Sequence, residues 1–170
     1  MRPAAMKKAV TMAFAGFIGL LVASGPICAA SRLGGTAAFA GGNYVEAANK
    51  AGPLAERGDA PSQALLGFMY EHGRGVAQDY GAAIYWYTCA ADQGHPTAQY
   101  LLGLMYDKGH GVVRSDVLAY KWLNLAAAHA QPGIRDYYLR IRDAVAVKLT
   151  ASQVAEAQWL ASNFVPKAQR

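Results

Sequence analysis

Apolar residues return every three or four positions along most of the chain, the spacing that gathers them on one face of an α-helix. From Tyr44 to Arg57 they are Tyr44, Ala47, Ala51 and Leu54, with Asn43 placed to cap the helix and Pro53 placed to kink or break it. Two helices follow, from Pro61 to about His72 and from Asp79 to Gln93, separated by Gly73-Arg74-Gly75-Val76. The same succession then recurs as far as Pro132. Beyond it, Ile134, Tyr138, Ile141 and Val145 form the apolar face of another helix. Thr150 and Gln153 make a capping-box pattern for a last helix carrying Val154, Ala157, Leu160 and Phe164, which Pro166 ends. Every element predicted is helical.

The recurrence is a true repeat. Residues 58–93 match residues 94–129 at 14 of 36 positions without a gap. A fixed period of this length marks a stacked helical array, in which each unit buries its apolar face only against its neighbours. In the first helix of each unit Gly67 and Tyr70 recur as Gly103 and Tyr106. A mid-helix glycine costs ~1 kcal/mol against alanine, and close approach of the partner helix is the simplest compensation. In the loops Gly73 and Gly75 recur as Gly109 and Gly111, which suggests backbone angles of positive φ. In the second helices Ala83 and Trp86 recur as Ala119 and Trp122, small residues beside a large aromatic one. Tyr44, Ala47, Ala55 and Gly58 precede their counterparts by the same interval, so a half repeat over 43–58 comes before full repeats over 59–94 and 95–131. Helices over 132–149 and 150–165 close the array, residues 31–42 are a short lead-in or half of a degenerate first unit, with Thr36 to Ala40 its one good helical piece, and the tail over 167–170 is expected to be loose.

Composition changes this picture at the front end. Arg2, Lys7 and Lys8 precede an uncharged, mostly apolar run from Ala9 to Gly25, and Cys28-Ala29-Ala30 offers small residues at a cleavage site. Residues 1–30 therefore read as a signal peptide cleaved after Ala30, which makes the mature protein secreted or periplasmic. If the segment is retained, it tethers the module to a membrane. Cleavage lowers Lys+Arg from 16 to 13 against 11 acids, for a net charge of about +2, and no basic stripe points to nucleic acid. It also removes Cys28, leaving Cys89 without an intramolecular disulfide partner.

The pattern LG-x-x-Y-x-x-G-x-G-V, followed by A-x-x-W and AA in each unit, resembles the Sel-one-like repeats, relatives of the tetratricopeptide repeat. The resemblance implies an all-α fold, a right-handed α/α solenoid of antiparallel helix pairs, and a scaffold that binds a protein or peptide partner. Some cysteine-rich relatives are associated with penicillin binding or β-lactam hydrolysis, which gives the alternative of a cell-wall or β-lactam-directed hydrolase. Those carry a disulfide in each repeat, whereas here Cys89 stands opposite Leu125.

Chemistry-bearing patterns are sparse. Gly-x-Gly in the loops lacks the continuation of a phosphate loop, and neither Ser-x-x-Lys nor Gly-x-Ser-x-Gly occurs. His72, His95, His110 and His129 have no metal-ligand spacing and are expected to be solvated, while Cys89 is expected to be a small core residue. No cofactor, metal or catalysis is expected. The candidates left for partner binding are Leu65, Met69, Leu101 and Met105, with His72 and Lys108 at the end of the row. Exposed, they line a concave groove; otherwise they are interior to the stack. Trp159, off the apolar face of the last helix, is a second candidate.

Overall fold

The computed structural model describes residues 28–167, which form eight helices and no strand. They are α1 (Cys28–Ala40), α2 (Tyr44–Glu56), α3 (Ala60–His72), α4 (Tyr80–Asp92), α5 (Pro96–Lys108), α6 (Asp116–His129), α7 (Pro132–Ala146) and α8 (Ala151–Ser162). Of the segment read as a signal peptide, residues 1–27 lie outside the described residues, and Cys28 to Ala30 open α1. Each helix packs on the next as far as α7, and α8 returns to pack on α6. Short connections make neighbours antiparallel, so α1, α3, α5 and α7 form one row of the solenoid and α2, α4, α6 and α8 the other.

The capping residues foreseen in the sequence occupy their positions. Asn43, Asp79 and Ser115 accept backbone N–H groups from Glu46, Ala82 and Leu118, and Thr150 and Gln153 complete a capping box on α8. Pro53 does not end α2, which continues to Glu56. Lying in the last turn, the proline removes one hydrogen bond where the helix is about to stop.

The front of the array is more complete than the sequence reading expected. Residues 31–42 are more than a short lead-in helical only over Thr36 to Ala40: α1 runs through 28–40 and packs along α2, so 43–58 is the second half of a whole helix pair. The period hid it. Tyr44 of α2 precedes Tyr80 of α4 by 36 residues, but Cys28 of α1 precedes Ala60 of α3 by 32, because the α1–α2 connection is 41–43 where the α3–α4 connection is 73–79. At the shorter offset Gly35 corresponds to Gly67, and it lies against the α2 backbone at Ala47 and Ala51.

Repeated glycines mark where helices and loops meet most closely. A Cβ on Gly67 would lie 2.5 Å from Tyr87 Cδ1, and one on Gly103 would lie 2.9 Å from Leu123 Cγ. The loops use glycine twice over. Gly75 and Gly111 have φ of +73° and +72°, and added Cβ atoms would fall 2.3 Å and 2.7 Å from the carbonyl oxygens of Tyr44 and Tyr80. Each interhelical loop thus lands on the first turn of the second helix in the preceding unit. The residue between the glycines seals that contact: Arg74 lies over the rings of Tyr44, Phe39 and Phe68, and His110 packs on Tyr80.

A polar ladder runs through the stack. Gln63 and Gln99 donate their amide N–H to the carbonyls of Ala55 and Ala91, closing the step from one unit to the next at 3.0 and 3.1 Å. Their amide oxygens accept in turn from Gln93 Nε2 at 2.7 Å and His129 Nδ1 at 3.0 Å. An amide oxygen can only accept, so Nδ1 of His129 carries the proton. Both glutamines are buried; Gln99 joins α4, α5 and α6, and Gln63 joins α2 and α3 to the C-cap residue of α4.

Candidate interaction surface

The row proposed as a groove is interior. Leu65, Met69, Leu101 and Met105 are all buried, Met69 to 0% and Met105 to 1% exposure. This corrects the expectation that they could line an open concave face. The reason lies in their neighbours: α3 sits between α2 and α4, with Phe39 of α1 edge-on to Phe68 at 5.6 Å. Helix α5 sits between α4 and α6, with Tyr138 of α7 stacked on Tyr100 at 4.5 Å. Only His72 and Lys108, at the helix ends, reach solvent. Even there His72 stacks on Phe68 at 4.1 Å, and its Nδ1 lies 3.0 Å from the Phe68 carbonyl oxygen.

Buried tyrosines add hydroxyl links inside the core. The Tyr87 ring occupies the space left by Gly67, and its hydroxyl donates to Glu71 at 2.7 Å. Burial first, and then the Glu71 carboxylate, raises its pKa well above the ordinary range. Tyr100 and Tyr137 hydroxyls meet at 3.1 Å, and burial pushes Tyr138 up to about 12.

His95 departs from the solvated state expected of it. It caps α5, its Nδ1 accepting the Ala98 N–H at 3.2 Å, at the position Asp59 holds in the preceding unit. Burial lowers its pKa from 6.5 to about 4, although the nearby Asp59 carboxylate pulls the other way. The unfolded chain therefore binds a proton that the folded chain refuses. Stability from this site is fully present above pH 6.5 and is lost as pH falls towards 4. At ~1.4 kcal/mol per pH unit, a fall from 6.5 to about 4 corresponds to a loss of about 3 kcal/mol. Melting followed across this window should show it, and His95→Asn, which keeps a capping acceptor, should flatten the slope.

Solvent-facing aromatic surface is found instead on the second row. On α4, Tyr85 is 60% exposed and meets half-buried Trp86 edge-on at 5.0 Å. Cys89, one turn on, is half-buried rather than in the core, and burial raises its thiol pKa. The equivalent surface of α6 differs. Lys121 replaces Tyr85 and lies 4.2 Å from the Trp122 ring centre, and Phe164, just beyond α8, packs edge-on against Trp122 at 5.7 Å. Trp122 is consequently buried. Trp159 is exposed on α8, as its position off the apolar face implies. The tail is not loose at Lys167, whose backbone N–H donates to the Asp92 carbonyl at 2.8 Å; residues 168–170 lie outside the described residues. Among the described residues there is no cluster of three metal-ligating side chains and no helix long and apolar enough to cross a membrane.

This aromatic face was only partly visible in the sequence. Trp86 and Trp122 stood out by recurrence, whereas Tyr85 did not, because lysine replaces it in the next unit. That lack of recurrence on an exposed helix face was itself the available signal: a position free of packing duty can vary from unit to unit.

Comparison with known proteins agrees with this architecture. The Sel1 repeat family pattern matches residues 60–95 and 96–130. A solved structure of a protective antigen from uropathogenic Escherichia coli strains, described as displaying an SLR fold, superposes with a TM-score of 0.73 at 29% identity. The match covers 85% of this chain but 31% of the antigen, so the chain spans about a third of that protein's length. A Sel1 repeat protein from Oxalobacter formigenes is 41% identical over 56% of this chain and 71% of its own, with a TM-score of 0.51. No curated protein matches the chain.

Proposed function

Because the chain belongs to the Sel1 repeat family, whose members typically serve as protein–protein interaction scaffolds, we propose that it is an exported, non-catalytic module holding a protein partner on the outer face of α4. The observation that carries this reading is the contrast between the rows. In α3 the residues 62–69 are all buried, whereas α4 presents Tyr85 to solvent beside Trp86. Tyrosine and tryptophan supply large contact area at low entropic cost, and they dominate the energetics of protein interfaces. Export rests on the N-terminal pattern of residues 1–30, with an exported chain beginning at Ser31 as the expected product.

Tyr85→Asp tests the site. An exposed substitution should leave melting unchanged to within ~0.5 kcal/mol. Recovery of the proteins that co-purify with the unmodified chain from its organism of origin should fall at least about tenfold, the ~1.4 kcal/mol or more expected of an interface anchor. Undiminished recovery would remove α4 from the interface.

A further inference from the structure

Residues 164–167 leave α8 and cross to α4 without secondary structure, held at their two ends. At one end the Phe164 ring meets Trp122, with the Lys121 ammonium 5.8 Å from its centre. At the other, the Lys167 N–H donates to the Asp92 carbonyl and its ammonium pairs with the Asp92 carboxylate. Pro166 lies beside Gly94 between these points. The acceptor is one that a helix leaves open. In the last turn of α4 the carbonyls of Ala90 and Ala91 receive N–H groups from Gln93, Gly94 and His95, and the tail provides one for Asp92.

Beyond the Phe164 ring the tail is barely buried. Val165 is 79% exposed and the Lys167 side chain 75% exposed. An exposed ion pair, a single main-chain hydrogen bond and one half-buried ring are weak restraints against the entropy of a chain end, so such a segment opens locally far more readily than the core. What it occupies is a set of complementary features: an aromatic seat on Trp122 with a cation beside it, a main-chain acceptor, and a carboxylate.

We propose that the trough from Trp122 to Asp92 is a peptide-binding site occupied in the resting chain by its own tail, and that it accepts from a partner an extended segment with an aromatic residue three positions before a lysine or arginine. The proposal rests on the scaffold reading and names the chemistry of the partner. The intramolecular tail, present at high effective concentration, sets a threshold that an incoming segment must exceed.

The probe is a fluorescent synthetic peptide of residues 162–170, measured by anisotropy against the full chain carrying Phe164→Ser and Lys167→Glu, with folding verified by melting. Saturable binding is expected, at least about tenfold tighter than to the unmodified chain and weakened when Asp92→Asn is added. No binding to the folded variant, or equal binding to both chains, overturns the proposal. Should the variant not fold, hydrogen exchange at the Lys167 amide of the unmodified chain decides: excess peptide should accelerate it, and an amide as protected as those of α5 and unmoved by peptide would make the tail a fixed part of the structure. Because the assay uses no native partner, its failure leaves the α4 reading standing.

Discussion

Met105→Lys is expected to leave the chain without a cooperative fold. Met105 is 1% exposed in α5, within the hydrophobic core. An unpaired ammonium there must be desolvated, neutralised, or extracted by opening the stack, each at a cost of several kcal/mol, against a typical total stability of ~5–15 kcal/mol. Leu101→Ser, 3% exposed and one turn earlier, should destabilise through a cavity and a hydroxyl placed among apolar groups. Far-UV circular dichroism with thermal melting reads both. A soluble Met105→Lys protein melting within a few degrees of the unmodified chain would mean that this row is open to solvent, as a binding groove requires.

Gly75→Ala is expected to be the most damaging small substitution in the loops. The position has φ of +73°, costing an L-residue ~1–2 kcal/mol, and the new methyl would lie 2.3 Å from the Tyr44 carbonyl oxygen. Backbone cannot rotate aside as a side chain can, so the loop must lift from α2 and a total loss of about 3–5 kcal/mol is expected. Gly42→Ala separates the two causes. Its φ is +79° with nothing within 4 Å of the added Cβ, so only the conformational strain should register. Equal losses at the two positions, by denaturant unfolding, would show that contact between successive units contributes little.

Much of the solenoid could be read in advance because its repeated residues answer to local geometry. Asn43, Asp79 and Ser115 cap helices through interactions within a few residues, and the 67/103 glycines follow from the close approach of one helix to its partner. Misreadings arose where distant neighbours decide. The α1–α2 pair escaped a fixed period because its connection is shorter, and His95 looked solvated because its partial burial beside Asp59 depends on the preceding unit. Leu65, Met69, Leu101 and Met105 presented an apolar surface that sequence could assign equally to a groove or to an interior. Gln63 and Gln99 recurred in plain view, but a polar residue gives no hint from sequence alone that it bridges helices until its carbonyl acceptors are placed.

The outer face of α4, and not the buried first row, is the surface proposed to meet the partner. Photo-crosslinking from a benzophenone side chain introduced at Tyr85, with one at the still more exposed Val147 as control, tests it in the organism of origin. A discrete crosslinked adduct is expected from position 85 and none from position 147. No adduct from position 85, or the same adduct from both, would contradict it.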